Sequence, residues 1–262
     1  MSKNKSLGTR QWATKSVNCC TGCSHDCLYC YAKSMAIRFK QVTAEQWPLE
    51  RIRPHDVYHK HRKYEGRVMF PASHDITDNN WSACVIVLVR LLKAGNKVLI
   101  VSKPHYNCIA SICTVFEGYR DKLTFRFSIG SCDDKILSYW EPNAPDYQER
   151  KEALEVAFNS GFETSVSIEP MLDSENVDIL INELSPYVTH SIWIGKMNHL
   201  GRFGKVSDMV LRQAIDDIKR GQSDAVINEI YQRHKDNPLI RWKNEIKKVV
   251  GIPVPEESGL DI

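Results

Sequence analysis

The chain has 262 residues, 42% of them apolar, and a formal net charge of +3. That length holds one or two domains with a substantial core, and so even a charge balance selects neither an acidic nor a basic partner. The opening MSKNKSLGTRQW has lysines but no apolar run, and the longest apolar stretch, CVIVLVRLL at 84 to 92, is broken by Arg90. Neither a secretory leader nor a membrane span is read from them, so a cytoplasmic protein with no membrane partner is expected.

In chain order, short β-rich runs alternate with amphipathic helices. SVNCC at 16 to 20 ends a first strand, and YAKSMAIRFKQ at 31 to 41 reads as a helix. RVMFPAS at 67 to 73 is a second strand, followed by a helix capped at Asn79 or Asn80 and stopped by Gly95. KVLIVSK at 97 to 103 is the third strand, with a helix from 106. LTFRFSIG at 123 to 130 is the fourth, with a helix that Asp146 starts and Gly161 ends. TSVSIEPML at 164 to 172, a helix over 175 to 187, and HSIWIGKM at 190 to 197 complete the alternation. Beyond 200 the pattern turns helical and charged, then polar and loose from Pro253. Six βα units with nearly continuous apolar strands predict a parallel sheet covered by helices, with ligands at the strands' carboxyl ends.

Of the nine cysteines, five fall between Cys19 and Cys30, the rest being Cys84, Cys108, Cys113 and Cys132. A disulfide framework spreads across a chain and is rare in the cytoplasm, so this crowding points to one local metal site and scattered core thiols. Cys23, Cys27 and Cys30 form C-x3-C-x2-C between the first strand and first helix. A structural zinc site takes four protein ligands, and Cys108 with Cys113 is the candidate second pair. An iron–sulfur cubane held by three thiolates instead leaves one iron open. Cys19 and Cys20 read as packing thiols.

C-x3-C-x-aromatic-C, with Tyr29 as the aromatic, resembles the signature of the radical S-adenosylmethionine (radical SAM) superfamily. The resemblance implies an α/β partial (β/α)6 TIM-like barrel over 1 to 200. It carries the cluster loop (19 to 30) and a basic insertion (42 to 66), with a helical carboxyl-terminal extension and polar tail over 201 to 262. It also implies that Cys23, Cys27 and Cys30 ligate a 4Fe–4S cluster whose fourth iron SAM chelates. One-electron reduction, from a donor such as flavodoxin or ferredoxin, then releases a 5′-deoxyadenosyl radical that abstracts hydrogen from the substrate.

Within the superfamily the chain is similar to the spore photoproduct lyase branch of DNA-repair enzymes and its phage-associated relatives. VSK, RFSIG, VSIEP and the EP-x-AP-x4-R stretch that starts at Glu141 and ends on Arg150 carry that likeness. It implies SAM contacts from Tyr29, Ser73, Lys103 and Ser128, with the backbone of Ser167 and Ile168 facing the adenine. Glu169 reads either as a ribose or substrate ligand or as the partner of Arg126 or Arg150. The chain departs from the branch at Pro71, where the lyase has its hydrogen-donating cysteine, and Cys132 is the substitute donor. The superfamily's frequent GGE is replaced by FPASHDIT, with His74 and Asp75 in its place.

RIRPHDVYHKHRKYEGR at 51 to 67 carries six Lys/Arg against two acids, interleaved with His55, His59, His61, Tyr58 and Tyr64. Cations among aromatic rings suit phosphates and stacked bases, so Arg51, Arg53, Lys60, Arg62 and Lys63, with Lys3, Lys5, Arg10 and Lys15, are the expected nucleic-acid contacts. A nucleic acid or nucleotide base, repaired or modified, is the expected substrate. A colourless zinc-containing nucleic-acid-binding module, a barrel that has lost its chemistry, and a radical SAM enzyme on a protein or small molecule are the alternatives.

Overall fold

A computed structural model describes residues 8–204 and 206–261; Lys3 and Lys5 lie outside the described residues. In chain order it contains β1 (Lys15–Ser16), β2 (Cys20–Thr21), α1 (Tyr31–Arg38), β3 (Arg51–Ile52), α2 (Pro54–Val57), β4 (Arg67–Met69) and α3 (Trp81–Lys93). Then come β5 (Lys97–Ser102), α4 (Tyr106–Val115), β6 (Leu123–Ser128), α5 (Asp134–Trp140), α6 (Tyr147–Asn159), β7 (Glu163–Ile168) and α7 (Val177–Leu184). The remainder is β8 (Ser191–Ile194), α8 (Met209–Gly221), α9 (Asp224–His234), β9 (Ile240–Trp242) and α10 (Asn244–Val250).

Seven strands form one parallel sheet in the order β1-β4-β5-β6-β7-β8-β9. Helices cover its outer face, giving the expected partial TIM-like barrel. Alternation sorts the two faces. Val98, Ile100, Phe125, Phe127, Val166, Ile168, Ile192 and Ile194 pack outward under the helices in the main core. Met69, Leu99, Val101 and Trp193 point inward, where Trp12 and Ala13 close on them. At about 1.5–3 kcal/mol per large apolar side chain, the outer layer supplies most of the folding drive. Helix boundaries follow their local signals. Asp146 caps α6 by accepting from the Glu149 amide, and Gly161 leaves that helix at φ +77°. Asn80 stands at the N-cap of α3, but its side chain binds Thr77 and Glu50 instead.

Three expectations are corrected. The first strand ends at Ser16; Cys20 belongs to a separate antiparallel ribbon with β3, in register with Ile52. The segment after 200 is not wholly helical, because Ile240–Trp242 adds a seventh strand beside β8. Ile240 and Trp242 both enter the outer core, yet three residues are too few to separate a two-residue period from a helical one. The tail is not loose: the Gly259 and Asp261 amides donate to Arg10 and Gln11 carbonyls, and Asp261 enters the amino-terminal end of the barrel. Among the described residues, no helix is long and apolar enough to cross a membrane.

Candidate active site

The cysteine loop crosses the carboxyl end of the sheet in tight turns. Gly22 enters at φ +98°, and a Cβ there would stand 2.5 Å from the Trp47 carbonyl, so the close approach requires glycine. The Asp26 amide donates to Cys23 O and the Cys30 amide to Cys27 O, two tight turns that keep the three cysteines on one compact loop. Lys33 Nζ pins Asp26 at 2.6 Å. Cys30 is the N-cap of α1, its sulfur accepting from the Lys33 amide at 3.3 Å, a position where the helix dipole favours thiolate. Burial pushes all three thiols up, and the Lys103 ammonium opposes it at each.

Lys103, just past β5, sits among the site's charges. Its amide donates to Asp75 Oδ1 at 2.8 Å, its Nζ lies 3.4 Å from Asp75 Oδ2, and that ammonium stands 5.9 Å from the Tyr29 ring centroid. Asp75 also receives Ser102 Oγ at 3.1 Å and faces His25 Nδ1 at 2.9 Å. Burial works against its charge, but Lys103 and His25 outweigh it and hold the carboxyl well below its usual range. His25 is fully buried, and its other nitrogen meets His105 at 2.9 Å. The Tyr29 hydroxyl donates to Glu141, and Glu141 pairs with Arg150 at 2.6 Å, both members buried. Arg150 donates to Pro145 O and Ser128 O, so the EP-x-AP-x4-R stretch acts as a buried clamp behind the loop's aromatic residue.

The other expected positions divide. Ser73 and Ser128 are half-buried at the same end; the Ser73 amide is held by Asn18 Oδ1 at 2.8 Å. The Ser167 and Ile168 carbonyls are spent on the sheet, accepting from Ile129 and Gly195. Ser167 Oγ, by contrast, is buried without a hydrogen-bond partner among the described residues, and the Ile168 side chain belongs to the outer core. Glu169 pairs with neither Arg126 nor Arg150 but with Lys243 at 3.1 Å. Cys132 packs half-buried against the outer core, and burial and then Asp173 raise its thiol. Cys108 and Cys113 lie on α4 in that same core, away from the triplet. Cys19 faces Cys84 at 3.8 Å. His74 turns to Cys19, so only Asp75 of the FPASHDIT pair enters the site.

The basic insertion runs down the flank rather than across the mouth. Arg51 is exposed on the β2–β3 ribbon. Arg53 donates to Asn18 O and Thr21 Oγ1 and pairs with Asp56 at 2.5 Å, so it braces that ribbon. Lys60, Arg62 and Lys63 are exposed, but Tyr64 bonds Asn96 just before β5, which places Arg62 and Lys63 at the opposite end of the barrel. Six strand residues separate the two ends by roughly 20 Å.

The sequence did not reveal Glu50, His25 or His105. Glu50 accepts from Ser24 N and Oγ at 2.9 Å, Thr77 Oγ1 at 2.6 Å and Asn80 Nδ2 at 3.0 Å, tying the cysteine loop to the loop after β4. His25 stood inside the triplet as a signal; Glu50 and His105 had none.

No family model matches the chain. Uncharacterized protein ORF301 of Acidianus two-tailed virus is 24% identical over 208 residues, 72% of this chain and 67% of its own length. A spore photoproduct lyase mutant with dinucleoside spore photoproduct shares the fold at a TM-score of 0.58 and 14% identity, over 92% of this chain and 79% of its own. The lyase complexed with that dinucleoside gives 0.58 at 12% identity, covering 92% and 80%. A further mutant with bound AdoMet gives 0.53 at 13% identity, covering 87% and 75%. The resemblance implied by the motifs is therefore borne out in the fold.

Proposed function

We propose that this chain is a radical SAM enzyme, with a 4Fe–4S cluster on Cys23, Cys27 and Cys30 and SAM beside it, acting on a base of a nucleic acid. One observation carries this: three thiols of one short loop, two buried and Cys30 half-buried, stand at the carboxyl end of a parallel half-barrel within the field of the largely buried Lys103 ammonium, itself 5.9 Å from the Tyr29 ring centroid. The donor set suits the group. Three soft thiolates leave one iron unclaimed, and the unpartnered Ser167 hydroxyl offers a further polar contact. When bound, the cluster supplies the electron that splits the SAM sulfonium into methionine and a 5′-deoxyadenosyl radical.

The chain's own residues do the positioning. Lys103 offers its ammonium to the SAM carboxylate, Tyr29 its ring to the adenine, and Ser73 and Ser128 their hydroxyls. Glu141 and Arg150 hold Tyr29, while Asp75 and His25 hold Lys103 and the loop. Buried apolar walls keep water from the reactive group. A flavodoxin or ferredoxin is the proposed electron donor. The dinucleoside bound in the lyase structures and the exposed Arg51 on the ribbon beside the mouth support a nucleic acid as substrate class, while Arg62 and Lys63, at the far end of the barrel, do not bear on it. Arg53 serves the ribbon, and Cys132, set among outer-face residues, has no part in this proposal.

Anaerobic reconstitution with iron and sulfide, then dithionite and SAM, tests the reaction class. Release of 5′-deoxyadenosine, abolished by Cys27→Ala, is expected. A second reading has its own observation: Cys23, His25 and Asp75 place a sulfur, a ring nitrogen and a carboxylate oxygen within 4.8 Å of one another, a donor set zinc accepts. About one zinc per chain in a colourless oxygen-free preparation, with no SAM binding, decides for that module.

A further inference from the structure

The mouth of the half-barrel has two sides. The cysteine loop, Asp75 and Lys103 stand on the β1, β4 and β5 side; the β7, β8 and β9 side carries a cluster with no role so far. Cross-strand register places Ser128, Ser167 and Trp193 opposite one another on the inner face. One step further toward the carboxyl ends come Glu169, Gly195 and Lys243. Lys243 is 1% exposed; its Nζ lies 3.1 Å from Glu169 Oε2, donates to Gly8 O at 3.1 Å and stands 4.1 Å from the Trp12 ring centroid. Glu245 Oε1 accepts from the Lys196 amide at 3.1 Å.

These three side chains converge on a bare backbone. A Cβ at Gly195 would stand 2.7 Å from Lys243 Cγ, 2.9 Å from Glu169 Cγ and 3.1 Å from Glu245 Oε1. Glu169 and Glu245 are both partly buried, Glu169 at 18% side-chain exposure, so two carboxylates stand beside one ammonium with limited access to solvent. Lys243 ion-pairs with Glu169, and Glu245 brings a second carboxylate against the same glycine. Burial, and then Glu169, push the Glu245 carboxyl up, as expected of two acids sharing one cation. Just below them, Trp193 Nε1 is buried without a hydrogen-bond partner among the described residues. Buried polar atoms are seldom left unmatched unless something else completes them.

We propose that Glu169 and Glu245, set against Lys243 at Gly195, form the substrate side of the mouth and accept hydrogen bonds from the N–H or O–H groups of a neutral nucleoside. This rests on the radical SAM assignment and adds the substrate's recognition chemistry. The two carboxylates disfavour phosphate and carboxylate groups at this spot and receive donor groups. A nucleoside held over β7–β9 faces the SAM held over β4–β6 across the mouth.

The test is binding, not turnover. Uridine and guanosine are titrated calorimetrically into the anaerobically reconstituted full chain with SAM present. Glu245→Gln keeps the oxygen that accepts from the Lys196 amide, so its melting temperature should stay near that of the parent. Its nucleoside affinity should fall about tenfold or more, as when a hydrogen bond to a charged acceptor is lost. Glu169→Gln should lose nucleoside affinity by a similar factor but also lower the melting temperature, because it leaves the buried Lys243 without its paired charge. Weaker binding of N3-methyluridine identifies the base N–H as the donor; weaker binding of 2′,3′-dideoxyuridine identifies the sugar hydroxyls. The proposal is overturned if neither nucleoside binds the parent, or if both variants bind them as tightly as the parent. It is also overturned if Glu245→Gln weakens SAM alone, because the pair then serves the cofactor's ribose. Release of 5′-deoxyadenosine by the parent is read separately, so failure of the substrate side and failure of the reaction class are distinguishable.

Discussion

The barrel buries charge at both ends, and the two ends treat it differently. At the amino-terminal end Arg126, fully buried, meets Asp261 at 2.9 Å and the hydroxyls of Ser165 and Ser191 at 2.9 and 3.3 Å. Arg67 reaches the same Asp261 at 2.8 Å and Glu163 at 3.4 Å, and Glu163 accepts from Thr124. Each charge there closes on another group of the chain. At the carboxyl end Lys103 and Asp75 pair as well, but around them stand three thiols whose pKa burial pushes up and, across the mouth, Ser167 Oγ and Trp193 Nε1 without hydrogen-bond partners among the described residues. One end closes its charges on each other as ion pairs, even though Arg126 Nη1 and Asp261 Oδ1 lack a well-directed hydrogen bond, and it serves the fold. The other leaves uncharged polar atoms unmatched among the described residues, a condition that ligand sites meet.

The comparison is tested most severely at Lys103. Lys103→Met removes both the partner of buried Asp75 and the cation beside Cys27. Stability in urea should fall by about 3–5 kcal/mol, and SAM affinity by about a hundredfold. If stability drops while SAM binds normally, this end is structural too. Asp261→Ala is the counterpart: it strands Arg126 and should again cost about 3–5 kcal/mol, yet leave SAM affinity unchanged. A full-strength fold in that variant defeats the view that the tail seals the barrel.

Glu50→Gln sharpens the contrast within the mouth. It weakens charge-assisted hydrogen bonds from Ser24, Thr77 and Asn80, so about 1.5–3 kcal/mol should be lost. The reconstituted variant should also retain less iron on gel filtration, which a purely structural role for Glu50 does not require. The smallest effect belongs to neither end. Asp178, on α7, pairs with His234 at 2.6 Å and Arg233 at 2.9 Å on α9. Burial raises its carboxyl, but those partners outweigh it and leave the group below its usual range. A carboxyl depressed by folding contributes stability above its unfolded pKa, about 4, and loses it as pH falls through the folded value. Because the carboxylate is 41% exposed, solvent screening keeps the effect under about 1 kcal/mol. Melting curves of Asp178→Asn and the parent should therefore differ slightly at neutral pH and converge in acid.

How much was legible follows from how local each signal is. The triplet, its aromatic residue, the cap at Asp146 and the lysine after β5 are patterns only a few residues long, and each stands in the structure where its spacing put it. Glu141 and Arg150, nine residues apart in one stretch, were legible as a pair of positions, though not as the clamp on Tyr29. The basic run was legible as composition but not as a direction; only the Tyr64–Asn96 bond shows that it descends the flank.

By itself, then, the amino-acid sequence determined the order of the βα units and the place and spacing of the cysteine loop, because side-chain period, capping and ligand spacing act over one turn or one strand. Tertiary structure alone decided which charges meet. Arg126 and Asp261 are 135 residues apart, Glu50 joins loops on either side of it, and Lys243 reaches Glu169 only because a three-residue strand completes the sheet. No local rule links such partners: their pairing is set by closure of the sheet, which buries each charge and leaves it only the neighbours that the fold brings within reach.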